Sequence, residues 1–142
     1  MKSIFLTAIL VMSTAHASDA CGIYFDNGNS QASKGAQYAQ KASSLFNQMK
    51  ERAEEGAPSS ELCQLGTDSR MSAYLSAVSF RKARVAWLDA INLCQAPNDA
   101  TAAEQADLNT EYYNTQAEFI ADMDNLLGAR CGSKPLTPLL NN

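Results

Sequence analysis

The residues with the most chemistry to offer are four cysteines, a row of carboxylates and a single histidine. Cys21, Cys63, Cys94 and Cys131 stand 42, 31 and 37 residues apart. Zinc-binding cysteines come in close pairs, so this spacing does not make a metal site. In an exported chain the same four thiols make two disulfides. The 142 residues hold 11 Lys and Arg, 15 Asp and Glu and one His, a formal net charge of −4. Met1-Lys2, the apolar run Ile4 to Met12 and the Ala15-His16-Ala17 cleavage pattern read as a secretory leader over residues 1–17.

Cleavage after Ala17 leaves 125 residues, ten basic and fifteen acidic, and takes the one histidine away. Ser-His and Cys-His nucleophilic pairs and His-ligated metal or haem sites are therefore not expected. The sequence has no P-loop, dinucleotide glycine fingerprint, C-x-x-C-H or H-E-x-x-H. Asp26-Asn27-Gly28-Asn29 starts like a calcium loop but lacks its later ligands and closing Glu. Met49, Met71 and Met123 are scattered in the manner of core fillers. An acidic chain is a poor partner for phosphate backbones. The apolar run of the leader is about half the length a membrane-spanning helix needs. No cofactor, metal, nucleic acid or (after leader removal) membrane is thus expected.

The carboxylates are more informative. Placed at 100° steps on a helix, Glu104, Asp107, Glu111, Glu118 and Asp122 fall within about 60° of one another. They form an acidic ridge roughly 27 Å long, with Arg130 at its end as the local positive charge. Opposite lie Tyr112, Tyr113, Phe119, Ile120, Met123, Leu126 and Leu127, in a band about 140° wide. Carboxylates in a row repel one another and gain by meeting a cationic partner; the same pattern also suits a merely solvated face.

The elements that position these groups are three helices. Ile23–Phe25 reads as a short extended segment and Asp26–Asn29 as a turn. Helix one follows from Ser30 to Glu55, with Tyr38, Ala42, Leu45, Phe46, Met49 and Ala53 on its apolar face and Gly35 and Ala39 allowing close approach. Gly56-Ala57-Pro58-Ser59 ends it. A short helical turn near 59–65 stops at Gly66, and Thr67 or Asp68 caps helix two, which runs to about Cys94 before Pro97. Helix three starts at Asn98 or Asp99, or at the Thr101 to Glu104 capping box. It continues to Cys131, with Gly132 as the left-handed residue beyond its end.

Helix two is apolar nearly all round. Phe80, Trp87, Leu88 and Ile91 occupy one side, and Met71, Leu75, Val78, Val85 and Leu93 another. It is expected at the centre, its surplus covered by a terminal segment or by a second copy in a homodimer. Arg81, Lys82 and Arg84 are expected to pair with carboxylates of neighbouring helices, and Arg84 to stack on Trp87.

This order predicts an all-α fold, an antiparallel up-down-up bundle of three long helices, as one domain over 18–132 with a loosely ordered tail over 133–142. Helix length then sorts the disulfides. Cys63 and Cys94 sit at opposite ends of helix two, roughly 45 Å apart, and Cys94 and Cys131 are separated likewise by helix three. A disulfide needs about 5.5 Å between Cα atoms. The remaining connectivity is Cys21–Cys94 at one end and Cys63–Cys131 at the other.

The expected function is that of a non-catalytic, exported, periplasmic protein-binding domain, an inhibitor, immunity or adaptor protein using the acidic helix face. Two readings from other classes compete with it. One is a carrier of a small apolar ligand held between Phe80, Trp87, Tyr113 and Ile120. The other is an enzyme working with carboxylates alone, for which Glu54-Glu55 and Asp122/Asp124 are the close pairs.

Overall fold

The computed structural model describes residues 19–140, and the leader expected over 1–17 lies outside them. Three long helices run antiparallel: α1 Asp19–Glu54, α2 Ser59–Leu93 and α3 Asn98–Cys131, followed by the single turn α4 Thr137–Leu140. Cys21 is bonded to Cys94 and Cys63 to Cys131, with Cα separations of 5.1 and 5.8 Å, so each tip of the bundle carries one staple. No described helix is long and apolar enough to cross a membrane.

Residues seven apart explain the packing. Along α1 the inward residues Cys21, Phe25, Gly28, Ala32, Gly35, Ala39 and Ala42 recur at steps of four and three. Along α2 the buried series Gly66, Ser69, Ala73, Ser76, Phe80, Ala83, Trp87 and Ala90 does the same. This is the heptad spacing of a coiled-coil seam. Size alternates across it. A Cβ on Gly28 would lie 2.5 Å from the Trp87 ring, and one on Gly35 would lie 2.7 Å from Phe80. Farther along, Ala42 and Ala73 share one core cluster, and Gly66 makes room for Met49 Sδ, 3.1 Å from where its Cβ would sit.

Small residues let the backbones come close. Ser69 Oγ donates to the Ala42 carbonyl at 2.7 Å and Ser76 Oγ to the Gly35 carbonyl at 2.8 Å, both bonds crossing from α2 to α1. Each serine thereby buries its hydroxyl without an unmet hydrogen bond. By contrast α1 and α3 approach each other at few backbone positions. Large side chains fill the space between them, with the Phe46 and Phe119 rings edge-to-face at 5.6 Å.

Two local expectations change. Residues 23–29 are helical, not extended and turned, because Cys21, Phe25 and Gly28 continue the inward heptad series onto Cys94 and Trp87. The helical turn near 59–65 runs unbroken into α2, and Gly66 is a packing site inside that helix, not a stop. Gly56 (φ 78°) and Gly132 (φ 63°) do occupy the left-handed positions that end α1 and α3.

The tail differs as well. Pro135 and Pro138 suggest a loose segment, yet residues 133–140 lie against the α2–α3 groove, with Leu140 buried beside Tyr74, Tyr113 and Ala117. Asp124 holds the turn in place. It accepts bonds from the Leu136 and Thr137 backbone amides (2.9 and 2.8 Å) and from the Thr137 hydroxyl (2.6 Å). Farther on, Arg81 and Tyr113 both donate to the Leu140 carbonyl.

Candidate functional site

The acidic row stands on the outer face of α3. Its inward face is set by Ala102, Ala106, Asn109, Gln116, Ile120, Met123 and Leu127, all buried, with Tyr113 half-buried among them. That register turns Glu104, Asp107, Glu111, Glu118 and Asp122 to solvent, and all five are exposed. None of them has an ion pair among the described residues. Of the expected apolar band, Leu126 is exposed and Tyr112 and Phe119 are half-buried. The charge of the chain is concentrated here: α3 carries seven carboxylates against Arg130 alone.

Asp124, close in sequence to Asp122, belongs to a different structure. Its side chain is 8% exposed and pairs with Arg70, 4% exposed, at 2.6 Å. Arg70 also donates to the Lys134 carbonyl and the Ser133 hydroxyl, so α2, α3 and the tail meet at one guanidinium. Burial pushes the Asp124 carboxyl up more than any single partner pulls it down. The donors from Thr137, Leu136 and Arg70 together still leave it below the usual carboxylate value. The Asp122/Asp124 pair is thereby divided between solvent and clasp.

At the tip closed by Cys63–Cys131, Arg52 bridges Glu55 and Glu61. Hydrogen bonding to Arg52 lowers the Glu61 carboxyl, and the pair of carboxylates raises the guanidinium. All three are solvent-exposed enough for screening to weaken the network. No group of three or more His, Cys, Asp or Glu side chains is placed to hold a metal among the described residues.

The residues named for an apolar ligand do not converge. Trp87 packs in one core cluster with Phe25, Ala83 and Ala106, its ring edge-to-face with Phe25 at 5.0 Å. Ile120 and Tyr113 belong to the other cluster, and the Phe80 ring lies tilted against Tyr112, centroids 5.1 Å apart. Trp87 faces Gly28 and Phe25, and among the described residues the cation placed over a ring is not Arg84 but Lys50, 5.7 Å from Phe46. Arg81, Lys82 and Arg84 form none of the ion pairs among the described residues.

Helix α2 is turned differently from its hydropathy. Its small residues face inward, and Met71, Leu75, Val85, Leu88 and Leu93 are 37–52% exposed. The sequence carried the signal for this in the seven-residue spacing of Ser69 and Ser76, which no count of apolar residues registers. The chain matches no protein-family model, no curated protein and no solved structure.

Proposed function

We propose that the chain is an exported, non-catalytic binding protein that occupies the surface of a cationic partner with the outer face of α3. The observation that carries this reading is the row of five exposed carboxylates, 104 to 122, without an ion pair among the described residues. Held on one uninterrupted helix, they keep a regular spacing along about 27 Å. A partner presenting lysines or arginines at that spacing gains long-range attraction before contact and register on contact.

The supporting frame is stiff. A disulfide at each tip limits fraying of the rods, so little ordering entropy is lost when a partner docks. Disulfides and the leader-like start of the sequence favour an oxidising compartment, the periplasm or the cell exterior. An inhibitor or immunity factor for a secreted enzyme, or a periplasmic adaptor, fits such a surface.

The test is capture from periplasmic or competitor-cell extract at low and high salt, with Glu111→Lys/Glu118→Lys as the comparison. The expected result is a partner retained at low salt, released at high salt and missing from the charge-reversed protein. Retention indifferent to both reversals overturns the role of the ridge.

A further inference from the structure

The C-terminal segment hangs on one ion pair. Past the Cys63–Cys131 staple and the left-handed Gly132, residues 133–140 turn back along the α2–α3 groove. Asp124 accepts from the Leu136 and Thr137 amides and from the Thr137 hydroxyl. Its partner Arg70 donates to the Ser133 hydroxyl and the Lys134 carbonyl. At the far end the Leu140 carbonyl accepts from Arg81 and Tyr113 at 3.1 and 3.3 Å. Tyr74, Ala77, Tyr113 and Ala117 share one apolar cluster with Leu136 and Leu140.

We propose that residues 133–140 are a strap that acid unlatches while the three long helices stay packed, baring the α2–α3 groove. Protonating Asp124 cancels the charge that three strap donors meet. It also leaves the Arg70 guanidinium buried without a counter-charge, a costly state that opening relieves by admitting water. Burial pushes the Asp124 carboxyl up, but the Thr137 hydroxyl, the two amides and Arg70 together hold it below its ordinary value. The strap is therefore latched above roughly pH 4 and released as pH falls through the lower folded value. From α2 the charge facing Asp124 is Arg70; the tail brings Lys134, exposed and joined to Arg70 by its carbonyl, and Asp122 on α3 is exposed.

The rest of the core offers acid little purchase. Arg70 is the charged member of the buried set among the described residues. Glycine, alanine, serine, Met49, Phe80 and Trp87 make the α1–α2 seam, and none of them titrates. Cys131, bonded to Cys63, pins α3 immediately before the strap, so opening ends at Gly132. Tyr113, Ala117 and Asp124 stand on the side of α3 away from Glu104, Glu111 and Asp122, so the strap and the acidic row share no surface.

The test is amide NMR of the oxidised full chain, titrated from about pH 7 to about pH 2. The Leu136 and Thr137 amides should reach random-coil positions below about pH 4, while the indole N–H of Trp87, buried in the other cluster, keeps its native shift. Thr137→Val removes one donor to the carboxylate and should raise the midpoint of strap release by about one pH unit, with the indole again unmoved. Strap amides that keep their native positions at the acid end, or leave them only together with the indole, overturn the proposal. So does a Thr137→Val midpoint that is not above the native one.

Discussion

Two residues show how local contact decides what a side chain is worth. The Arg70–Asp124 pair is buried and fixed by five further donors and acceptors, so removing one partner strands a charge. Asp124→Asn is expected to destabilise the fold by about 3–5 kcal/mol, read as a lower urea midpoint, and to expose the tail to carboxypeptidase. Protonation does the same by degrees. Because its donors hold the Asp124 carboxyl below its unfolded value, the charged form stabilises the fold fully above roughly pH 4. That contribution fades as pH falls through the depressed folded value. The native protein should therefore lose stability on acidification more steeply than Asp124→Asn, and equal slopes would deny the carboxylate this role. Glycines make a paired comparison. Gly28→Ala drives a methyl into the Trp87 ring and should cost about 1–3 kcal/mol, whereas Gly22, with open space at its Cβ, should gain about 0.5–1 kcal/mol as alanine in a helix. Thermal melting of the two variants checks both signs.

For the helices, length and register were easier to read than orientation. Helix ends placed the cysteines, and a rod of known length cannot bring its own two ends together, so the disulfide pairing followed from residue numbers alone. Which side of α2 faces inward did not follow from hydropathy. Ser69 and Ser76 look polar, yet each hydroxyl finds a carbonyl on α1, and their small volume is what permits the close contact. Replacing Ser76 by Leu should force α1 and α2 apart and cost about 1–3 kcal/mol despite adding apolar surface. Unfolding midpoints of Ser76→Leu and Ser76→Ala separate the two effects, since only the first adds bulk. The start of α1 was hidden for another reason. Asp26-Asn27-Gly28-Asn29 prefers a turn locally, and the Cys21 staple with Trp87 packing overrides that preference. The Arg70–Asp124 clasp joins residues 54 apart and depends on the α2–α3 register, which no local pattern encodes. The acidic row was legible because exposure on an amphipathic helix is set by its own periodicity.

At the scale of the whole molecule, two staples close long loops, 73 and 68 residues apart in sequence, and so restrain the unfolded chain. Cys63→Ser/Cys131→Ser should cost about 4 kcal/mol in the chain-entropy account, and loss of both bridges approaches the whole stability of many small domains. Guanidinium melts with and without reductant measure this directly; coincident curves would show that packing alone sustains the rods. The α1–α2 seam has a consequence for how such a protein can change size. Gly28 meets Trp87, Gly35 meets Phe80, Ala42 meets Ala73, and Met49 meets Gly66, so each advance of seven on one rod matches a retreat of seven on the other. Length is accordingly quantised. A block of seven inserted into every rod at one level would preserve each neighbour and both end closures, while an insertion that is not a multiple of seven would set bulky side chains against one another like a zip closed one tooth out.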